Sequence, residues 1–368
     1  MERKEYDKVI LIAILWDMYE EDLLEDLGKE IDHIHKFGKM SQSLTQTLYK
    51  ANNDLENVIE NTIPKIQSLY QSGIDLANEN KADLFEYTGM KPKETDIAEM
   101  QARETARDII VHSKALCTID KYGRPVALNT SINNILNKAL QTARETKDFH
   151  SVMRDTIKEF GGSGIRVNFG GGVTRSIESV VRSNLLWGLK QTHLQYEREI
   201  GEMIGCDGVE IDWHLNQRPS HIFMGGRQYS IGEGKEVNGK YYPSVDDTTQ
   251  GGGLSVNMAL QDYGCLHYET SIILGVSAPR YTEAEIEQLN KDNEKPIEFD
   301  GKSKTGYQWQ QVMRALEREY RKNNLIMKVG KGDRQLIREY KDKNAKIKAK
   351  YDAISKATGI KEDYNRFI

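Results

Sequence analysis

The sequence predicts an α+β protein: a mainly helical amino-terminal region, a small mixed α/β module, and a helical, basic carboxy-terminal tail. Three observations carry that expectation. Apolar residues recur at helical spacing from residue 1 to about 155. Between about Gly205 and Gly275 the pattern shifts to short alternating segments separated by glycines. The composition is 38% hydrophobic and 29% charged with only 7 prolines in 368 residues, which suits long, partly exposed helices better than a compact enzyme core. That length ordinarily means two domains, or one with helical extensions. The divisions expected are a helical arm over 1–160, an α/β module over 161–300 and a basic tail over 301–368.

In the arm, Leu11, Ile14, Leu15, Met18, Leu23, Leu24 and Leu27 mark a first helical stripe. This opening is acidic, with ten Asp/Glu against four Lys/Arg in residues 1–30. A second helix covers Ser41 to Leu76 through Leu44, Leu48, Leu55, Ile59 and Ile63, and Pro64 kinks or interrupts it. Ile97–Leu116 and Ile132–Ala143 read as further helices, with Asn129-Thr130-Ser131 as a cap cluster. These stripes are packing faces and are assigned no chemistry.

Two glycine clusters follow, Gly161-Gly162-Ser163-Gly164 and Gly170-Gly171-Gly172, around the strand-like Ile165–Phe169. A phosphate-cradling loop would need a Gly-Lys-Ser/Thr sequence and a preceding strand, and both are missing. A domain junction or a tight turn fits better. Thr174 is the expected cap of a long helix through Ile177, Val181, Leu185 and Leu194. Within the module, Val209–Trp213, Arg227–Ile231, Lys240–Tyr242 and Tyr268–Val276 are strand candidates, and Gly251-Gly252-Gly253 is a loop.

Several classes drop out on composition. Three cysteines, Cys117, Cys206 and Cys265, are too few and too far apart for a disulfide framework, and they fit a reducing compartment. The apolar run Val9–Trp16 is too short to span a bilayer, and the start lacks the features of a signal peptide. The expectation is a soluble protein without a membrane partner. The net charge of -5 is mild and by itself demands no nucleic acid.

Chemistry-bearing side chains concentrate in Asp212–His221 and in Cys265-Leu266-His267, which together hold three of the 8 histidines. Pro219 fixes its own backbone and keeps Arg218 out of helix, so this segment is a loop. Cys265 and His267, two apart, share a face if extended. His214, His221, Cys265 and His267 are therefore candidate ligands of a tetrahedral site, and a thiolate with imidazoles selects zinc over magnesium or calcium. The same residues also suit a hydrogen-bonded polar core, or proton transfer with Asp212 as partner. Arg218 and Arg227 either clamp an anion or tie the loop to its domain. Ser220 beside His221 is adjacency in sequence, not a nucleophile–base geometry.

The tail is strongly basic: residues 314–350 carry 13 Lys/Arg against 5 Asp/Glu. Arg314, Arg318, Arg321 and Lys322 fall on one helical side, and Lys341, Lys343, Lys346, Lys348 and Lys350 follow. Such a face meets either solvent or an acidic partner, DNA included. Without interleaved aromatics it would not read bases.

His214-Leu215-Asn216-Gln217-Arg218-Pro219-Ser220-His221, Gly226-Arg227-Gln228-Tyr229 and Gly264-Cys265-Leu266-His267 together resemble the phage minor capsid protein 2 family of tailed bacteriophages. The stretches Arg175–Val209 and Gly275–Thr282 share in the likeness. It covers roughly residues 1–325 and is strongest over 160–300. The family tends to have Asn-Cys-Arg-His where this chain has Gly264 and Leu266 around Cys265, so the ligand types are kept and the arginine is absent. The resemblance implies a structural protein inside the phage head near the portal, linked to head assembly and present in several copies. It would reside in the host cytoplasm before assembly. Its implied partners are the portal protein or major capsid protein, with packaged double-stranded DNA as a further contact, and no enzymatic activity is implied. Two other readings stay open on the residues alone. One is a metal-dependent nuclease or related phosphodiesterase using His214, His221, Asp212 and Arg218. The other is a non-viral helical DNA-binding protein.

Overall fold

In the computed structural model the described residues are 3–37, 39, 43–82, 85–86, 89–113, 115–145, 154–155, 157–158, 161–245 and 265–367. Helices α1 (Arg3–Phe37), α2 (Ser43–Asn80) and α3 (Ile97–Ser113) come first. Strands β1 (Leu116–Ile119) and β2 (Pro125–Ala127), helix α4 (Leu128–Glu145) and strands β3 (Arg166–Asn168) and β4 (Thr174–Ser176) follow. Helix α5 (Ile177–Met203) leads into β5 (Gly208–Ile211), β6 (Gln228–Ser230), β7 (Lys235–Val237), β8 (Lys240–Tyr242) and β9 (Glu269–Ile272). The chain closes with α6 (Glu283–Glu294), β10 (Ile297–Phe299), β11 (Lys302–Lys304), α7 (Gly306–Val329) and α8 (Arg334–Thr358). Long helices with small antiparallel sheets make this an α+β fold, as the sequence predicts. Among the described residues no helix is long and apolar enough to cross a membrane.

Two units interleave along the chain. One takes Met1–Val9, Lys65–Thr105 and Ser183–Gln311, and the other takes Ile10–Pro64, Ala106–Arg182 and Val312–Ile368. A boundary at residue 161 thus falls inside a unit. Pro64, expected to kink or end its helix, lies within α2 at the division between units. Gly251-Gly252-Gly253 lies outside the described residues.

The unit that holds the tail buries one stripe of α1: Ile12, Trp16, Leu23, Leu27, Ile31 and Ile34. These positions are three, four or seven apart, the spacing of one helical face. Leu23, Leu24 and Leu27 lie on it as expected, whereas Met18 is 53% exposed and lies off it. Its sheet has the order β2-β1-β3-β4, all antiparallel. The apolar pattern does not reveal the β1–β2 hairpin because a polar side chain makes its turn. The Asp120 carboxylate accepts the N–H groups of Tyr122 at 2.8 Å and Arg124 at 2.9 Å. Asn129, Thr130 and Ser131 are consequently inside α4 rather than before it, and Thr118 Oγ1 donates to Ser131 Oγ at 2.7 Å.

The glycine clusters are a turn and a packing contact. Gly170, Gly171 and Gly172 have φ of 82°, 57° and 81° and connect β3 to β4. A Cβ on Gly161 would stand 2.9 Å from Ile326 Cα, so this glycine lets two backbones meet closely. Thr174 is still paired in β4, and the hydroxyl that faces the start of α5 is Ser176, which accepts from Ser179 N–H at 3.4 Å.

In the same unit, Asp333 caps α8 by accepting from Gln335 N–H and Leu336 N–H. Two lysines of the basic tail meet the acidic opening within the chain: Lys331 reaches Glu25 at 2.5 Å and Lys328 reaches Glu21. Arg154 pairs with Asp333 at 2.7 Å. The two lysine pairs neutralise part of the tail's charge within the chain, which lowers the charge left for partners.

The other unit buries Ile66, Leu69, Tyr70 and Ile74 of α2, Ile97 and Ala102 of α3, and Leu185, Leu189, Tyr196 and Ile200 of α5. Its central sheet has the order β6-β5-β9, again antiparallel. All four residues of β5 are buried, so both faces of that strand are covered. Val209, Ile211, Tyr229 and Val245 form one cluster, and Tyr242, Ile272 and Leu274 form another. Helix α6 starts at a reciprocal cap between Thr282 and Glu285.

Candidate metal centre

Ile211 and Glu269 pair at one end of β5 and β9. Just beyond, Asp212 N–H donates to Tyr268 O at 3.0 Å, and Tyr268 N–H donates to Asp212 Oδ1 at 2.5 Å. This double tie brings the His214–His221 loop and Cys265–His267 to the same edge. Arg218 is extended (φ -60°, ψ 136°), as a residue before proline prefers, and the chain then turns through a short 3-10 helix, Pro219–His221.

His221, Cys265 and His267 are 1%, 4% and 1% exposed, and their ligand atoms lie within 4.8 Å of one another. Cys265 Sγ is 3.6 Å from His221 Nδ1 and 3.6 Å from His267 Nδ1. With Zn–S of about 2.3 Å and Zn–N of about 2.0–2.1 Å, a sulfur and a nitrogen at tetrahedral angles stand about 3.6 Å apart. Both sulfur–nitrogen edges of the trio therefore have the length a zinc tetrahedron needs. A single thiol proton, by contrast, can be donated to only one of the two imidazoles.

The protonation of His267 follows from its surroundings. The Ile222 carbonyl is an obligate acceptor, so Asn290 presents Nδ2 to it at 3.2 Å. Asn290 Oδ1 then receives the Trp213 indole N–H at 2.9 Å and Gln217 Nε2 at 3.0 Å. Gln217 is thereby oriented with Oε1 toward His267 Nε2 at 2.9 Å, which places the ring proton on Nε2. The Nδ1 lone pair is left aimed at Cys265, as orientation of a metal-binding histidine by an outer partner requires.

His214 stands beside the trio rather than in it. Its ring centroid is 4.4 Å from that of His267, and its Nδ1 lies 3.1 Å from Leu215 O, an acceptor, so Nε2 keeps its lone pair. Three of the four residues singled out by sequence thus converge, and the fourth flanks them.

Electrostatics favour the metal-binding forms. Burial, then the nearby His214, His221, Lys190 and Arg218, hold His267 far below the usual histidine range. Burial also depresses His214. Both imidazoles are neutral at ordinary pH, as a ligand must be. Lys190 of α5 is 5% exposed and donates to the carbonyls of Cys265 and of His267, the latter at 3.1 Å. Burial brings it down to about 8, against the pull of Cys265 and Asp212. Burial raises the Asp212 carboxyl while the Tyr268 N–H opposes the rise, and that carboxylate acts as a backbone tie.

Arg227 ties the loop to its surroundings: it pairs with Glu283 at 3.0 Å and donates to Phe223 O at 2.9 Å. Gln217, Asn290, Lys190 and Gly225 are the site residues that sequence reasoning missed. Gln217 lies inside the motif, but nothing in its spacing marks it as an orienting group. A Cβ on Gly225 would meet Gln217 Oε1 at 2.8 Å and His267 Nε2 at 3.3 Å. Gly225→Ala is expected to cost about 1–3 kcal/mol, the usual range for an overpacked core. Urea unfolding measures it, and an unchanged midpoint would show that Gln217 yields freely.

The basic residues of the tail differ in exposure. Lys341, Lys343, Lys346, Lys348 and Lys350 of α8 are all exposed, as are Arg318 and Lys322 of α7, while Arg314 and Arg321 are half-buried. Lys343 is engaged with Glu339 at 2.8 Å.

Residues 127–355 match a family model described as Phage minor capsid protein 2. The match leaves out α1 to α3 and runs well past residue 325, where the motif resemblance stops, so it takes in α7 and nearly all of α8. No curated protein and no solved structure matches the chain.

Proposed function

The chain belongs to the phage minor capsid protein 2 family, and from that premise we propose that this phage structural protein sits inside the head of a tailed bacteriophage, near the portal, and acts in head assembly. The family match over 127–355 carries the reading. Its partners are the portal protein or the major capsid protein, in several copies per virion, with packaged double-stranded DNA as a further contact of the basic tail. Before assembly it resides in the host cytoplasm.

Within this role His221, Cys265 and His267 hold a zinc ion, with His214 or solvent at the fourth position. Zinc supplies a crosslink between the His221 loop and the Cys265–His267 segment, which β5 and β9 bring together. Burial of the trio favours this fastening role over phosphodiester hydrolysis, which would need substrate to reach groups that are 1–4% exposed. The Asp212 carboxylate that hydrolysis would use is occupied by Tyr268 N–H.

Quantitative mass spectrometry of purified, DNA-filled heads, with crosslinking, tests the placement. The expected result is several copies per head and crosslinks to portal subunits. Absence from purified heads would end the proposal.

A further inference from the structure

The unit that holds the tail contains a cleft of about 290 Å³ whose lining is dominated by arginine. Helix α7 contributes Arg314, Arg318 and Arg321, only part of the set. The β3–β4 hairpin adds Arg166 and Arg175, α5 adds Arg182, and the carboxy-terminal turn adds Arg366. Among the described residues Glu317 is the one carboxylate of the lining, and Glu178 joins through its pairs with Arg182 at 2.6 Å and Arg321 at 3.7 Å. Among the described residues the lining carries seven guanidinium groups, more than the carboxylates of Glu317 and Glu178 beside them.

Several of these side chains are held in place from within. Arg366 pairs with Glu317 at 2.8 Å. Arg166 donates to Thr174 Oγ1 at 2.9 Å and to Thr174 O at 3.1 Å. A guanidinium has five N–H donors in a planar fork, so one anchored along an edge still presents donors. Gathering like charges around a concavity costs free energy through repulsion unless an anion neutralises them. The cleft also holds the hydroxyls of Thr174, Ser176 and Ser179, at the start of the 27-residue helix α5. Arginine forks, hydroxyls and a helix amino terminus are the donor set that suits a tetrahedral phosphate with its several acceptor oxygens. A carboxylate would use fewer of these donors.

We infer that this cleft binds backbone phosphates of double-stranded DNA. The inference rests on the reading of the protein as a head component in contact with packaged DNA. It replaces a diffuse basic helix as the contact with a defined pocket, most of whose arginines come from outside the helix face that sequence marks. Among the described residues no aromatic side chain lines the cleft, so contact is to the backbone and independent of sequence.

The test is equilibrium binding of the full chain to fluorescent duplexes of two unrelated sequences across about 50–200 mM salt, the range over which phosphate contacts weaken. Arg175 and Arg318 are exposed, so Arg175→Ala with Arg318→Ala leaves the fold intact, and circular dichroism checks this. The double variant is expected to weaken both duplexes about equally, by roughly 10-fold, and to make the salt slope shallower by about two, since each phosphate left without its cation removes about 0.9. Lys341→Ala with Lys346→Ala is the comparison on α8. If only that pair weakens binding, DNA contact survives and the cleft is overturned. Failure of both duplexes to bind overturns it as well. Tighter binding of polyglutamate than of DNA would assign the cleft to an acidic protein. Saturation by inorganic phosphate or a free nucleotide, with duplex binding unchanged in the variant, would reject DNA as the source of the phosphate. None of these readouts depends on virion placement, which head mass spectrometry decides separately.

Discussion

Expressed in zinc-containing medium, the protein is expected to carry about one zinc per chain, and Cys265→Ser is expected to lose both the metal and the cooperative unfolding of the unit that holds it. The expected size separates the two readings of the trio. Structural zinc sites bind with apparent free energies of about 10–16 kcal/mol at neutral pH, and that binding is folding free energy. Whole domains are stable by only about 5–15 kcal/mol. A unit fastened by zinc therefore loses much of its stability when one ligand is removed. If His221, Cys265 and His267 form only a hydrogen-bonded core, Cys265→Ser is a near-isosteric change that costs about 1 kcal/mol. Elemental analysis with thermal unfolding, before and after a chelator, decides between them. Metal-free protein whose melting is unmoved by the chelator would reject the zinc site.

The geometry also grades the ligands. His221 and His267 share the 3.6 Å edges with Cys265, so alanine at either is expected to follow Cys265→Ser. His214 only flanks the ring of His267, so its removal should be milder.

Local patterns made part of this legible in the sequence. Lys240–Tyr242 and Gln228–Ser230 lie between glycines and appear as strands where expected. The trio was legible as residue types, because histidine and cysteine near a proline-fixed loop have few common uses. Membership was not legible: His214 and His221 carry equal weight in sequence, and the Ile211–Glu269 pairing together with the turn at Pro219–His221 decides which of them meets Cys265. The orienting chain Ile222–Asn290–Gln217–His267 draws Asn290 from α6, beyond the reach of any local spacing. The arginine cleft follows the same logic. Arg314, Arg318 and Arg321 announce a helical face, but Arg166, Arg175, Arg182 and Arg366 arrive through tertiary packing.

The unit that holds the tail should lose stability as pH rises through the neutral range, because of Glu20. This residue is 5% exposed, and its carboxylate accepts the Ile165 backbone N–H. Burial pushes it up from 4.5 to about 7, outweighing that N–H and the nearby Arg166 and Lys328, with Glu178 adding to the rise. Between about pH 4.5 and 7 the folded state thus holds a proton that the unfolded state has released. Glu20 contributes its stabilisation fully below about pH 4.5 and loses it as pH climbs through about 7. A displacement of roughly two and a half pH units corresponds to about 3 kcal/mol. The depressed histidines of the other unit, His193 and His267 among them, act with the opposite sign, since a histidine that stays neutral when folded gains stability as pH rises. The informative quantity is therefore the difference between the wild-type protein and Glu20→Gln. Glutamine keeps the oxygen that receives Ile165 N–H and cannot ionise. Relative to wild type, Glu20→Gln is expected to gain about 2.5 kcal/mol between about pH 5 and pH 8 in urea unfolding. A constant difference across that range would mean that the carboxyl titrates as though exposed.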